Sequence, residues 1–164
     1  NDTLGGGAAN DSADYSASNA AVTVNLLTGA GSGGHAQGDA YASIENVIGS
    51  AFADTFVGKA NSWDNVFDGR GGNDTMTGGL GADTFVFRLS EGSDTVTDFS
   101  AGAASGDVIQ MAGWGAAFDT FAEMIAVATQ SGGDVVFNFG NGQTLTLQSV
   151  TLGNLNAGDF IFGP

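Results

Sequence analysis

The residues best equipped for chemistry are carboxylates set in glycine turns at a fixed spacing. From Gly69 to Phe87 the chain reads Gly-Arg-Gly-Gly-Asn-Asp-Thr-Met-Thr and then Gly-Gly-Leu-Gly-Ala-Asp-Thr-Phe-Val-Phe. Two nine-residue units run back to back, each with a glycine-rich half, an aspartate at the sixth place (Asp74, Asp83) and an apolar residue at the eighth (Met76, Phe85). Glycine takes φ > 0 without strain, so the chain turns sharply and main-chain carbonyls converge on one point, where the aspartate adds a carboxylate. A hard cation such as Ca²⁺ takes six to eight oxygens. The oxygens on offer are the backbone of Gly69, Gly71, Gly78 and Leu80 with the side chains of Asp74 and Asp83.

The turns need elements to position them. Each is followed by a Thr-apolar-x strand whose single apolar side chain points inward, and one such strand cannot bury its face alone. Neighbours must therefore stack. Successive turns fall on alternate edges of such a stack, so residues sharing an edge lie two units, about eighteen residues, apart. On this reckoning Asp54 faces Asp74, Asn65 faces Asp83, and Asp74 in turn faces Asp94. Without an ion the stacked carboxylates repel one another, so stacking and ion binding are expected to be one event.

Along the chain, Asp2 and Asp11 lie nine apart, and Gly6 to Asp11 follows the turn pattern except for Ala9 where glycine is expected. Residues 1–20 read as partial repeats. In 21–48, Val22, Val24 and Leu26 alternate as a half-buried strand, and Thr28 to Gly38 is a Gly/Ser-rich stretch expected to be a mobile surface loop with a solvated His35. The array occupies 49–99. Gly49 to Val57 places Asp54 and Phe56 at the ligand and inward places. The next unit, Gly58 to Asp68, is two residues too long, holds Trp63 in or beside the insertion, and offers Asn65 as a ligand without charge. Asp94-Thr-Val-Thr-Asp98-Phe99 keeps the form of the repeat with two more acids, and Asp107-Val108-Ile109 repeats it loosely.

Residues 100–164 read as a cap. Asp119 to Gln130 is the one helical pattern, opened by a Thr120/Glu123 capping box. Two alternating runs flank Gly140-Asn141-Gly142-Gln143, a hairpin signal. The expected fold is all-β: a parallel β-roll with a C-terminal hairpin cap and one short helix.

Composition excludes several classes. A net charge of −15, with only Lys59, Arg70 and Arg88 against 18 acids, disfavours nucleic acid and anionic membranes and favours divalent cations. The absence of cysteine removes disulfides and thiolate metal sites. No run of eighteen apolar residues marks a membrane span, and no signal-peptide pattern opens the chain. One histidine cannot build an H-E-x-x-H site, no G-x-S-x-G follows a strand, and the acids are used up by the repeat, so catalysis within these residues is not expected.

The unit Gly78 to Val86 fits G-G-x-G-x-D-x-U-x at every fixed place, the signature of the Ca²⁺-binding repeats of RTX proteins. With the run from Asp94 to Phe99 and the closing Asp159-Phe-Ile-Phe162, most of the chain resembles the C-terminal region of RTX proteins exported by type I secretion. The resemblance implies a β-roll that folds on Ca²⁺ outside the cell, Asp11, Asp54, Asn65, Asp74, Asp83, Asp94 and Asp98 as side-chain ligands, and an uncleaved exporter signal at Asp159 to Phe162. Gly163-Pro164 departs from that pattern, whose apolar residues often end the chain. It also implies a larger parent, since metalloproteases, lipases, haemolysins, S-layer proteins and epimerases carry such regions. The other reading is a carbohydrate-binding accessory module. Scarce basic residues argue against a polyuronate ligand, leaving a neutral glycan held by Trp63, Trp114 or Tyr41.

Overall fold

In a computed structural model the chain is an all-β parallel roll, closed at one end by an antiparallel hairpin, with one short α-helix among the described residues. The structure describes residues 1–61, 63–102 and 106–163; Pro164, part of the departure noted above, lies outside them. The strands are β1 (Thr3–Gly5), β2 (Ser12–Asp14), β3 (Thr23–Asn25), β4 (Ala30–Ser32), β5 (Ala40–Ala42), β6 (Asn46–Ile48), β7 (Thr55–Val57), β8 (Val66–Asp68), β9 (Thr75–Thr77), β10 (Thr84–Arg88), β11 (Asp94–Val96), β12 (Val108–Ala112), β13 (Ala128–Ser131), β14 (Asp134–Gly140), β15 (Gln143–Leu147) and β16 (Phe160–Phe162). They divide between two sheets. One is ordered β1-β5-β4-β3-β7-β9-β11-β15-β14-β13, the other β16-β12-β10-β8-β6-β2.

Strand side chains alternate between faces, so a three-residue strand commits only its middle residue to the interior. Parallel registers stack the inward residues, which in β11, β15 and β16 stand at a strand end. Val24, Phe56, Met76, Val96 and Leu147 line up in the larger sheet, and Ala13, Val47, Phe67, Phe85, Ile109 and Phe160 in the smaller. All are buried, and rings meet across the roll, Phe56 to Phe67 at 5.6 Å between centroids. Burying each phenylalanine stabilises the fold by about 1.5–3 kcal/mol, so the hydrophobic columns hold the two sheets together.

Two local expectations change, and a third, the hairpin, holds. Residues 28–38 are ordered: β4 pairs antiparallel with β3, and Ala36 is fully buried on a turn of 3-10 helix over Gly34–Ala36, while His35 is exposed. The helix α1 spans only Phe121–Ala126; both bonds of the Thr120/Glu123 capping box form, but Ala128–Ser131 leaves the helix to pair with β14. Pairing with a neighbour outweighs the helical pattern there. Asn141 and Gly142 both have positive φ (52° and 81°), the conformation of a tight hairpin turn, and β15 joins the hairpin in parallel to β11.

Candidate metal centre

The residue entering each strand of the roll is, with few exceptions, acidic, and parallel stacking turns these positions into two ladders. On one edge Asp54, Asp74 and Asp94 lead into β7, β9 and β11: the Asp54 N–H donates to Asp74 Oδ1 (2.8 Å) and the Asp74 N–H to Asp94 Oδ1 (3.0 Å). Val22 ends this ladder, its N–H on Asp54 Oδ1 at 2.7 Å. On the other edge Asp11, Glu45, Asn65, Asp83 and Asp107 lead into β2, β6, β8, β10 and β12. Here the Asn65 N–H donates to Asp83 Oδ1 (2.7 Å), the Asp83 N–H to Asp107 Oδ1 (2.9 Å), and the Asp11 N–H to Glu45 Oε2 (3.1 Å). One oxygen of every ladder acid except Asp11 thus caps the coil before it.

The glycines of the motif leave room for the second oxygen. The first glycine of each unit lies under its own aspartate: a Cβ on Gly69 would coincide with Asp74 Oδ2, and one on Gly78 with Asp83 Oδ2. The second and fourth places carry positive φ, at Arg70 and Gly72 in one unit and at Gly79 and Gly81 in the next. Arg70 is therefore a non-glycine residue in the left-handed region. A carbonyl from the next corner on the same edge completes the cradle, for a Cβ on Gly49 would lie 2.5 Å from Asp54 Oδ2 and 2.6 Å from Gly69 O. Gly78 O lies against Gly58 in the same way, beside Asn65 Oδ1.

These oxygens are costly as they stand. Asp11 Oδ2, Asp74 Oδ2 and Asp83 Oδ2 are buried without a hydrogen-bond partner. Desolvation, followed by the charge of neighbouring acids, pushes the Asp74 carboxyl up to about 8 and that of Asp83 to about 6; desolvation and Glu91 raise Asp94 to about 7. Asp107 is raised by the same burial. Orphaned, anionic oxygens converging with carbonyls on a glycine-lined cradle fit a hard divalent cation, which supplies the positive charge and the missing partners. Among the described residues no group of three or more His, Cys, Asp or Glu side chains comes together to hold a metal. A rung brings only two ladder side chains together, and the further oxygens beside them are backbone carbonyls such as Gly69 O and Gly78 O.

The remaining candidate ligands take other positions. Both oxygens of Asp98 clamp the start of a corner, accepting from Gly78 N (2.8 Å) and Gly79 N (2.9 Å). The N–H groups of Gly71 and Leu80 donate to the carbonyls of Ser50 and Lys59 in the corners stacked before them, and the Leu80 side chain is exposed. Sequence reasoning passed over Glu45 and Asp107 as ladder members, although each stands immediately before an alternating strand. It also missed Asp39, which precedes β5 and accepts from Asp2 N (2.8 Å) and the Tyr15 hydroxyl (2.9 Å). Of the three aromatic residues considered for a glycan, Trp114 and Tyr41 are buried, the first donating to Phe87 O (3.1 Å) and the second hydrogen-bonded to Tyr15. Trp63 is exposed beside a groove of about 370 Å³ lined by Asn10, Glu45 and Asp64.

No protein-family model matches the chain, and no curated protein matches it in sequence. Solved structures do match in fold. The crystal structure of the extracellular lipase LipA from Serratia marcescens aligns with 98% of this chain at a TM-score of 0.64 and 22% identity. The chain spans 21% of the length of that lipase, and the likeness is one of fold.

Proposed function

We propose that the chain is a Ca²⁺-binding β-roll module of the RTX kind, a non-catalytic part of a larger exported bacterial protein that folds as it takes up the ion outside the cell. The observation that carries this reading is the pair of orphaned oxygens, Asp74 Oδ2 and Asp83 Oδ2, each buried over the first glycine of its own turn. Burying an unpaired carboxylate is strongly unfavourable, so the coils stack well only when a cation joins them. Where Ca²⁺ is scarce, as in a cytosol, the chain would stay unfolded and fit for export; where it is plentiful, ion binding supplies folding free energy. The fold likeness to an extracellular lipase supports secretion, and the Asp159 to Phe162 motif is the proposed exporter signal.

Far-UV circular dichroism during a Ca²⁺ titration tests the switch. The β-signal should rise with the ion, fall with a chelator and respond poorly to Mg²⁺, which demands a tight octahedron. An identical signal with and without Ca²⁺ would overturn the proposal. One observation favours a second reading, a glycan module: the exposed Trp63 beside its groove. Calorimetry against neutral oligosaccharides and alginate separates the two, since saturable sugar binding lost in Trp63→Ala belongs only to the second.

A further inference from the structure

One rung differs from all the others, the one between Glu45 and Asn65. We propose that the Lys59 ammonium is the cation of this rung, so that the roll closes there without a divalent ion and binds none. The inference rests on reading the all-acidic rungs as Ca²⁺ sites.

Glu45 is buried, yet both its oxygens are engaged: Oε2 accepts from Asp11 N (3.1 Å) and Oε1 lies 3.5 Å from Lys59 Nζ. Among the described residues, no other acid of the two ladders has a side-chain cation within 4.0 Å; the remaining ion pairs involve Asp39, Asp68 and Glu91. Position 65 matches this arrangement. An amide replaces the usual carboxylate, and its Nδ2 donates to Glu45 O at 2.7 Å, directing a donor where the acidic rungs direct acceptors. Asn65 Oδ1 accepts from Lys59 N (3.4 Å), drawing the lysine into the corner. The rung of Glu45, Asn65 and Lys59 thus pairs its one carboxylate with a cation of the chain, whereas Asp54 with Asp74, or Asp83 with Asp107, sets two carboxyl groups together with none.

Trp63 completes the device. Its ring lies 4.0 Å from Lys59 Nζ, and a cation over an indole face is held by the ring quadrupole while water is kept from one side. Trp63 stands in or beside the two-residue excess of the unit from Gly58 to Asp68. The insertion, the neutral amide and the lysine are then one feature. A self-neutralised rung lets the coils around β6 and β8 stack before any ion arrives.

Metal analysis after equilibrium dialysis, with thermal unfolding at saturating Ca²⁺, tests this on the chain and on Lys59→Gln, Lys59→Arg and the double variant Lys59→Gln/Asn65→Asp. Lys59→Gln should bind as many ions as the parent but melt several degrees lower, because Glu45 loses its counter-ion, and Lys59→Arg should restore most of the loss. The double variant should bind one ion more per chain. Loss of an ion in Lys59→Gln, parental melting of that variant, or an unchanged ion count in a folded double variant would each overturn the inference. A parent chain that binds no Ca²⁺ would instead defeat the reading of the acidic rungs, and the melting of Lys59→Gln would still decide whether the ammonium holds Glu45.

Discussion

Asp74 and Asp83 each do two jobs with two oxygens, and only one job is finished by the protein. Oδ1 takes an N–H from the preceding coil, while Oδ2 is left over a glycine without a partner. Asp74→Ala and Asp83→Ala should therefore each raise the Ca²⁺ concentration at the folding midpoint on the order of tenfold or more, with little change for the exposed Asp119→Ala; dichroism midpoints check this. Gly69→Ala is a sharper probe, because its methyl group would enter the space of Asp74 Oδ2 while every charged side chain is kept. It should destabilise the Ca²⁺-loaded fold by about 1–3 kcal/mol in denaturant titrations. At this scale the sequence was legible where glycine and aspartate recur together. It was only faintly legible at Glu45 and Asp107: each precedes an alternating strand, but without the glycine turn their place in the ladders is fixed by strand register between distant coils.

The elements were readable in proportion to how local their causes are. The Asn141-Gly142 turn and the Thr120 cap depend on residues within one turn of chain, and both formed as their residues dictate. β4 and β13 depend on partners, β3 and β14, and so looked like a loop and the tail of a helix. The end of the ladder is also set at this scale. Leu145 on β15 stands in register with Asp94, so the hairpin puts a fully buried apolar residue where another acid would extend the ladder. Leu145→Ala should cost about 2–5 kcal/mol by emptying that position. Unfolding at saturating Ca²⁺ should show a lower midpoint with an unchanged ion count, which separates the packing role of the cap from metal binding. Equal stability would mean that the hairpin does not close the roll.

For the whole molecule, burial and charge make proton and cation rivals for the same oxygens. With a net charge of −15 and carboxyls raised in the folded state to about 8, 6 and 7 at Asp74, Asp83 and Asp94, the metal-free fold holds protons that the unfolded chain has released. Because these values lie above the ordinary carboxylate range near 4, the stability they contribute is present below that range and is lost as pH rises through the folded values. Metal-free protein should therefore show more β-signal at about pH 5 than at about pH 8. On the proposed function Ca²⁺ replaces the protons and keeps the carboxylates ionised, so the gain in β-signal on adding the ion should be largest at about pH 8 and smallest in acid. Dichroism across this range, in metal-free buffer and again with saturating Ca²⁺, measures both curves. A metal-free β-signal that grows with pH would mean that these carboxylates are solvated in the folded chain, and the cation would then have no buried charge to neutralise.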